Sequence, residues 1–238
     1  MEMGITDATI ASAVNPRSPE SESMGAQLYR ILRAAINCGD LVPGRMISEL
    51  EVSRRFSISR QPVREAFIKL NDERLIEIQR QRGTYIRRIS VREALDAGHL
   101  RELIETSIAR EAAENPTPAF VKALRALVAG QRKVRNDDRQ AWPRHDEQFH
   151  RALAQHAGRE AMWRANAAIL AQMNRVRALT LDAAAPVPQL ADEHAAIADA
   201  IEAANPDQAA QRMRQHLHTV LDALPDLAKR YPQHFTAD

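Results

Sequence analysis

Several features common in other protein classes are scarce in this chain of 238 residues. It has a single cysteine, Cys38, which excludes an internal disulfide framework and fits a reducing compartment. No apolar run approaches the length of a membrane span, and the start of the chain lacks a signal-peptide pattern. Aromatic residues make up only 4%, whereas alanine, leucine, arginine and glutamate abound. We therefore expect a cytoplasmic, mainly α-helical protein without a membrane partner.

The net charge of +2 is unevenly distributed along the chain. Residues 45–88 contain eleven Arg or Lys against six Asp or Glu, whereas residues 89–238 contain nineteen against twenty. The basic excess is therefore concentrated in one segment, as a surface that binds nucleic acid requires.

The beginning of the chain predicts a leader and two helices. Residues 1–22 are rich in Ser, Pro, Ala and Thr, and we expect them to be disordered. Apolar residues then recur at helical spacing from Met24 up to a glycine that precedes a Pro-Gly turn. A second, short helix is predicted from Ile47 to Phe56, where Ser48 and Glu51 form a capping box.

A third predicted helix carries side chains that could read DNA. Ser59 is placed as its N-cap, and apolar residues at i, i+3, i+4 and i+7 form one face for a small core. Arg60, Gln61 and Arg64 lie off that face, as the donors of a recognition helix do in a DNA major groove. For an isolated helix, an ordinary solvated face is the better interpretation, so the flanking segments decide.

Beyond this helix the pattern changes from helical to extended. Residues 75–79 and 84–88 predict two strands around a basic turn that contains Arg82 and Gly83. Such a turn suits contact with phosphate or with the minor groove, because glycine lets the backbone approach closely. Three helices followed by a two-stranded ribbon predict a winged helix-turn-helix domain over residues 23–88.

This segment closely resembles the DNA-binding domain of the GntR family of transcription regulators. The resemblance rests on the Pro-Gly turn, on Ser-Arg-x-Pro-Val-Arg-Glu-Ala at 59–66 and on Gly-Thr-Tyr-Ile at 83–86. It implies that Gly83 lies at the wing tip and that four residues contact operator DNA, namely Ser59, Arg60, Gln61 and Arg64.

Three positions depart from the usual pattern of that family. Threonine is common where Gln61 stands, glycine where Arg74 ends the recognition helix, and arginine where Leu50 stands on the second helix. We therefore expect the preferred bases to differ from those of the commonest operators.

From residue 89 onwards the pattern is helical, with breaks at proline, glycine and polar stretches. Short connections favour antiparallel neighbours, so we expect an antiparallel α-helical bundle over 89–230, large enough for an internal cavity. Pro225 is expected to interrupt the last helix ahead of a tail at 231–238. The six predicted helices lie at 91–114, 119–134, 142–156, 160–181, 189–204 and 207–224.

Four residues of the bundle form a candidate metal site. Asp146 and His150 are four residues apart and share a helix face, while His194 and His216 border the apolar stripes of two later helices. Three imidazoles and one carboxylate suit zinc, nickel or manganese. From spacing alone, separate surface or hydrogen-bonded histidines are the better interpretation, because eight histidines give many chance triples.

The bundle also resembles the FCD effector domain of the FadR-type branch of GntR regulators. The matching segments are Arg101-x-x-x-Glu105, Asp146-x-x-Phe149-His150, His194-x-x-Ile197-x-x-Ala200-Ile201 and Arg212-x-x-x-His216-Leu217. The resemblance implies a divalent metal, zinc first, on the four candidate ligands. It also implies a carboxylate effector near Arg101, which alone would be a helix-surface ion pair with Glu105. Asn174 and Arg175 are expected to line the same pocket.

The leading hypothesis is a homodimeric, metabolite-responsive regulator, by default a repressor, that binds double-stranded operator DNA and a small organic or sugar acid. One alternative is an enzyme whose metal activates water for hydrolysis. Against it, no general base is evident beside the site, and a DNA-binding domain would be surplus. A further alternative is a DNA-binding protein whose metal is purely structural. Effector-dependent release of operator DNA separates this last case from the leading hypothesis.

Overall fold

The computed structural model describes residues 22–135, 138, 141–165, 167–183 and 186–237, so the predicted leader lies almost wholly outside it. The chain forms two compact units. The first contains residues up to Ile89 together with Tyr231–Ala237, and the second spans Ser90–Arg230. Within the described ranges, no helix is both long enough and apolar enough to cross a membrane.

Three helices and a small sheet build the first unit. Helix α3 packs against both other helices, and its predicted apolar stripe is buried, with Val63, Phe67 and Leu70 at most 2% exposed. In chain order the elements are α1 (Met24–Asn37), β1 (Met46–Ile47), α2 (Glu49–Phe56), α3 (Arg60–Asp72), β2 (Ile76–Gln79) and β3 (Gly83–Ile86).

The sheet has three strands in place of the predicted two-stranded ribbon. Strand β3 lies in the middle and pairs antiparallel with β1 on one side and β2 on the other. Met46 lies opposite Tyr85 in the first pair, and Ile76 lies opposite Ile86 in the second. The wing is therefore anchored to the segment that precedes α2.

The prediction that a helix begins at Ile47 was wrong. Ile47 ends β1, and α2 begins at Glu49 after the N-cap Ser48. The predicted cap itself is present, because the backbone N–H of Glu51 donates to the hydroxyl of Ser48 at 3.1 Å. A strand of two residues is too short to leave an alternating pattern in the sequence.

The end of the chain belongs to the first unit. The backbone N–H of Ile89 donates to the carbonyl oxygen of His234, and the N–H of Thr236 donates to that of Ile89, both at 2.9 Å. These bonds form a parallel bridge between Ile89 and Phe235, and the Phe235 ring is buried. Up to residue 237, the stretch assigned above to a tail is therefore part of the first unit.

Seven helices of the described residues build the second unit. They are α4 (Val91–Glu114), α5 (Pro118–Gln131), α6 (Ala141–His156), α7 (Glu160–Ala165), α8 (Ala167–Ala183), α9 (Val187–Glu202) and α10 (Pro206–Arg230). The single helix predicted over 160–181 is described as α7 and α8, with residue 166 between them outside the described ranges.

The predicted interruption at Pro225 was wrong, because α10 continues through it to Arg230. Proline lacks the N–H that would bond to the preceding turn, which weakens a helix locally. Here Leu224 and Leu227 are both buried on either side of it. Tertiary packing therefore holds the helix together where local propensity would end it.

Helices α4 and α10 pack antiparallel at close range. Glu102 on α4 accepts hydrogen bonds from Arg214 Nε at 2.7 Å and from His218 Nε2 at 3.0 Å. The two helices approach closely at Gly98, where an added β-carbon would lie 2.3 Å from Leu221 Cδ2. The sequence therefore needs glycine at this crossing.

Replacing Gly98 with alanine is expected to destabilise the protein by about 1 kcal/mol net. Overpacking against Leu221 costs roughly 1–3 kcal/mol, and alanine recovers about 1 kcal/mol of helix propensity. Gly130→Ala is the matched control, because the nearest neighbour of its added β-carbon, His145, is 3.6 Å away. Urea unfolding should rank the control at or above the parent and Gly98→Ala below it. Equal stability of the two variants would contradict the close packing.

Candidate metal centre and candidate DNA-reading helix

The four predicted ligands come together in the middle of the bundle. Helix α6 supplies Asp146 and His150, α9 supplies His194 and α10 supplies His216. One ligand atom of each lies within 4.8 Å of those of the others, and all four residues are buried. A buried cluster of this composition could hold a metal ion.

Each histidine of the cluster has a side-chain oxygen within 3 Å of its Nδ1. The pairs are His150 Nδ1 and Glu105 Oε2 at 2.6 Å, His194 Nδ1 and Gln131 Oε1 at 2.9 Å, and His216 Nδ1 and Glu193 Oε2 at 2.8 Å. For His194 and His216, which hydrogen-bond to these oxygens, the acceptor at Nδ1 favours the Nδ1–H tautomer, so the lone pair of the neutral ring lies on Nε2, whereas the contact of His150 with Glu105 is an ion pair. Outer partners of this kind are what orient histidines that bind metals.

Gln131 fixes the tautomer of His194 most clearly. Its Nε2 donates to the backbone carbonyl oxygen of His145 at 3.1 Å, so its Oε1 is the atom that faces His194. The Nε2 atoms of His194 and His216 are then two acceptors only 3.1 Å apart. Two facing lone pairs repel each other unless a proton or a cation lies between them.

Two further polar atoms at the centre are buried without a hydrogen-bond partner among the described residues. They are Asp146 Oδ1 and His150 Nε2, which lie 3.7 Å apart. Leaving buried polar atoms unpaired costs free energy, so such atoms need a reason. A shared cation would satisfy both.

The Asp146 carboxylate is ionised despite its burial. Burial alone would raise its pKa, but the charges of Arg177 and His150 outweigh this and hold the pKa well below its usual range. Arg177 donates from Nη1 to Asp146 Oδ2, which leaves Oδ1 as the oxygen at the centre. The site therefore presents one anionic oxygen next to the histidines.

A second buried ion pair stands behind His150. Arg101 donates from Nε to Glu105 Oε1 at 2.7 Å and from Nη2 to Oε2 at 3.2 Å. Burial would raise the pKa of Glu105, but Arg101 and His150 hold it far below its usual range. Arg101, predicted from the sequence as an effector contact, is thus linked to the ligand cluster through Glu105.

The three histidines differ in their electrostatic surroundings. Burial lowers the pKa of His194 and that of His216 well below the usual value, and the neighbouring positive charges add to this effect. Both rings are therefore neutral and can offer a lone pair. Burial also acts to lower the pKa of His150, but Glu105 and Asp146 reverse the effect and raise it.

Of the other predicted effector residues, Arg175 is buried and donates from Nη1 to Gln172 Oε1 at 3.0 Å, and Asn174 is half-buried. The residue of α8 that reaches the cluster is Arg177, which sequence reasoning missed. Only Val176, Ala178 and Leu179 around it are apolar, which is too short a pattern to reveal a buried arginine. Gln131 and Glu193 were missed too: Gln131 belongs to α5, which carries no predicted ligand, and Glu193 directly precedes the predicted ligand His194.

On the first unit, the residues predicted to bind DNA lie at the exposed start of α3. Ser59 occupies the N-cap position, as predicted, but its side chain makes no capping hydrogen bond. Arg60, Gln61 and Arg64 are exposed, and Gln61 Nε2 donates to Glu65 Oε1 at 3.2 Å. The uncapped helix start therefore leaves a hydroxyl and backbone N–H groups available to an anion.

The wing turn is shaped by residues with left-handed backbone. Gln81 has a φ of 63° and Gly83 has a φ of 112°. Residues with a side chain rarely adopt the backbone conformation of Gly83, so glycine suits this position. Arg82 between them is exposed, and its carbonyl oxygen accepts a hydrogen bond from the Tyr85 hydroxyl at 2.9 Å. The turn thus presents an exposed cationic side chain on a backbone that this hydrogen bond supports.

Comparison with known families matches both units of the chain. Residues 25–86 match the bacterial regulatory proteins of the gntR family, and residues 96–219, more than half of the chain, match the FCD domain. The chain belongs to the GntR family. It is a DNA-binding transcriptional regulator of the FadR-like branch rather than an enzyme, and the predicted fold class is confirmed.

Curated relatives of this GntR-family regulator carry names of repressors. It is 33% identical over 235 residues to the HTH-type transcriptional repressor RspR of Escherichia coli K12, covering 97% of this chain and all of the relative. It is 30% identical over 198 residues to the galactonate operon transcriptional repressor of the same organism, covering 73% and 84%. It is 25% identical over 201 residues to a probable D-xylose utilization operon repressor of Paenarthrobacter nicotinovorans, covering 84% and 88%.

Solved structures share the fold of this GntR-family chain. A putative GntR regulator from Rhodococcus sp. RHA1 superposes with a TM-score of 0.71 at 24% identity, covering 88% of this chain and all of the other. The E. coli protein McbR/YncC gives a TM-score of 0.72 at 17% identity, covering 88% and 99%. Likeness at this level of identity describes the architecture alone.

Proposed function

We propose that this regulator is a metabolite-responsive repressor. Its bundle binds a divalent metal ion and a small organic or sugar acid, and its winged domain releases operator DNA when the acid binds. The observation that carries the proposal is the convergence of three imidazole Nε2 atoms and one Asp146 oxygen in a buried site bordered by arginines. An apolar core gains nothing from such a cluster, whereas a metal site requires it.

The donor set fits a metal ion of the zinc type. Asp146, His150, His194 and His216 would hold the ion, and the unpaired Asp146 Oδ1 and His150 Nε2 would gain a partner. Tetrahedral zinc places its ligand atoms about 3.3 Å apart, and the separations at the centre include 3.1 and 3.7 Å. Three nitrogens and one oxygen suit zinc first, with nickel or manganese as alternatives.

The charges around the cluster favour an anionic effector. The buried cations Arg101 and Arg177 are already balanced by the carboxylates of Glu105 and Asp146. A divalent ion would add two positive charges to this balanced set, and an uncompensated buried charge is costly. A carboxylate ligand would offset that charge, and we propose that Arg101, Asn174 and Arg175 line its pocket.

The names of relatives support a sugar-derived acid. The galactonate operon repressor and the probable D-xylose operon repressor are named for sugar metabolism. A hydroxy acid could use its carboxylate on the metal and its hydroxyl groups on polar side chains nearby. The effector class proposed for this chain is therefore a small organic or sugar acid.

At the output end, Ser59, Arg60, Gln61 and Arg64 would contact the major groove, and Arg82 with Gly83 the adjacent backbone. One recognition helix reads too few base pairs for genomic specificity, so a homodimer on a two-fold operator in the cytoplasm completes the proposal. The effector must favour one arrangement of the dimer by roughly 1–3 kcal/mol of coupling free energy.

A screen of sugar acids and dicarboxylates by thermal shift, with and without chelator, tests this function. An acid at about 100 times its Kd should stabilise the metal-loaded protein by about 2.7 kcal/mol, and chelation should remove the effect. The same acid should release a DNA duplex selected by the protein from a random library. Arg164→Ala, an exposed change on α7, is the control that should keep both responses.

Two outcomes would contradict the proposal. Metal-dependent stabilisation without any effect of acids on DNA affinity would leave the metal as a purely structural element. Stabilisation by acids that survives complete removal of the metal would show that the effector binds elsewhere.

A further inference from the structure

Helix α3 exposes one apolar residue on the face that carries its DNA-reading side chains. Ile68 is 52% exposed, although the buried stripe of α3 takes up its other apolar residues. We propose that Ile68 reads the methyl group of a thymine in the operator. This inference rests on the proposed use of α3 as the recognition helix and adds a specificity residue to it.

The position of Ile68 around the helix carries the first step. At 3.6 residues per turn, Ile68 lies about 20° from Gln61 and about 40° from Arg64. Gln61, Arg64 and Ile68 follow the i, i+3, i+7 spacing by which the third helix of homeodomains presents side chains to bases. The helix face opposite them contains the buried Val63 and Phe67.

A further member of this face, Glu65, is engaged in other contacts. Its Oε1 accepts the hydrogen bond from Gln61 Nε2 at 3.2 Å. Its Oε2 lies against the start of α1, where a β-carbon added to Gly25 would be only 2.5 Å away. Arg64 and Ile68 are therefore more available to bases than Glu65, and Gln61 meets a base by giving up its bond to Glu65.

The chemistry of the major groove identifies the target of Ile68. Guanine, adenine and cytosine present hydrogen-bonding edges there, which an aliphatic side chain cannot satisfy. Thymine presents its C5-methyl group, which gains from an apolar contact that excludes water. Because Ile68 lies about 12 Å along the helix from its first residue, this thymine should lie outside the bases read by Arg60.

The test uses DNA in which only that methyl group is removed. The full-length protein selects a duplex from a random library, and each symmetric pair of thymines is then replaced by deoxyuridine. Fluorescence anisotropy of the parent should show a loss of about fourfold for each methyl removed, so about fifteenfold for one pair. Ile68→Ala should bind the thymine and uracil versions of that duplex equally.

A matched control and a second variant keep the test decisive. Ile78→Ala removes an isoleucine of nearly the same exposure, 53%, from β2 and should keep the thymine dependence. Ile68→Gln, used in a fresh selection, should no longer favour thymine at that position, because glutamine pairs with adenine.

Three results would overturn the inference. They are a parent protein indifferent to every uracil replacement, an Ile68→Ala variant with an unchanged uracil penalty, and an Ile68→Gln variant that still selects thymine. If the parent selects no duplex at all over random DNA, the proposed function fails together with the inference. Specific binding with no methyl dependence would remove the inference alone.

Discussion

Replacing Arg64 with alanine is expected to weaken specific operator binding by at least about 30-fold. A bidentate contact from arginine to guanine is worth roughly 1–3 kcal/mol, and a two-fold dimer loses two such contacts. Arg64 is exposed on the first turns of α3, so its loss leaves the core of the domain intact. Arg60→Ala should behave similarly. Anisotropy titrations with selected and scrambled duplexes, at one fixed salt concentration, measure the effect.

The scrambled duplex separates specific recognition from general attraction to DNA. Affinity for the scrambled duplex should fall only by the electrostatic contribution of one positive charge per subunit. Arg164→Ala removes the same charge from α7, where the side chain forms an exposed pair with Glu160 at 3.9 Å, and should leave both affinities unchanged. If Arg64→Ala and Arg60→Ala keep full specificity, α3 is not the reading helix.

Removing His150, or His194 and His216 together, is expected to empty the metal site. Elemental analysis of the purified parent should give about one metal ion per chain, and analysis of the variants close to none. The parent should also lose stability on chelation, because an ion at 1,000 times its Kd contributes about 4.1 kcal/mol. The variants should show no further loss, since they have no ion to give up.

His99→Ala is the control for the metal experiment. His99 is exposed on α4 and lies 3.0 Å from the carbonyl oxygen of Leu95 through Nδ1, away from the four candidate ligands. It should keep the parent's metal content and its response to chelator. Circular dichroism checks that the variants remain helical. An unchanged metal content in folded His150→Ala protein would show that the ligand set is wrong.

The winged domain was predictable because its information is local. The apolar stripe of α3 and the Ser48 cap each lie within a few neighbouring residues, where periodicity and cap chemistry act. Strand β1 was missed because its two residues are defined by pairing with β3, some 38 residues later in the chain. The continuation of α10 through Pro225 likewise depends on packing that local sequence does not reveal.

The candidate metal site was likewise predictable only in part. Resemblance located Asp146 and the three histidines, but it gave no account of the residues that hold them. Gln131 and His194 are 63 residues apart in sequence, and Arg177 and Asp146 are 31 apart, so only the folded bundle brings them together. Sequence spacing can indicate a shared helix face, whereas contacts between helices require the packing itself.

The bridge between Ile89 and Phe235 has a consequence for protein synthesis. Residues near Ile89 leave the ribosome well before Phe235 exists, and at 5–20 residues per second the delay is roughly 7–30 s. During that interval the helices of the first unit can form, but the backbone N–H and carbonyl groups of Ile89 lack their native partners. The first unit is therefore completed only after residue 236 has been translated, and a product terminated before it would lack these contacts.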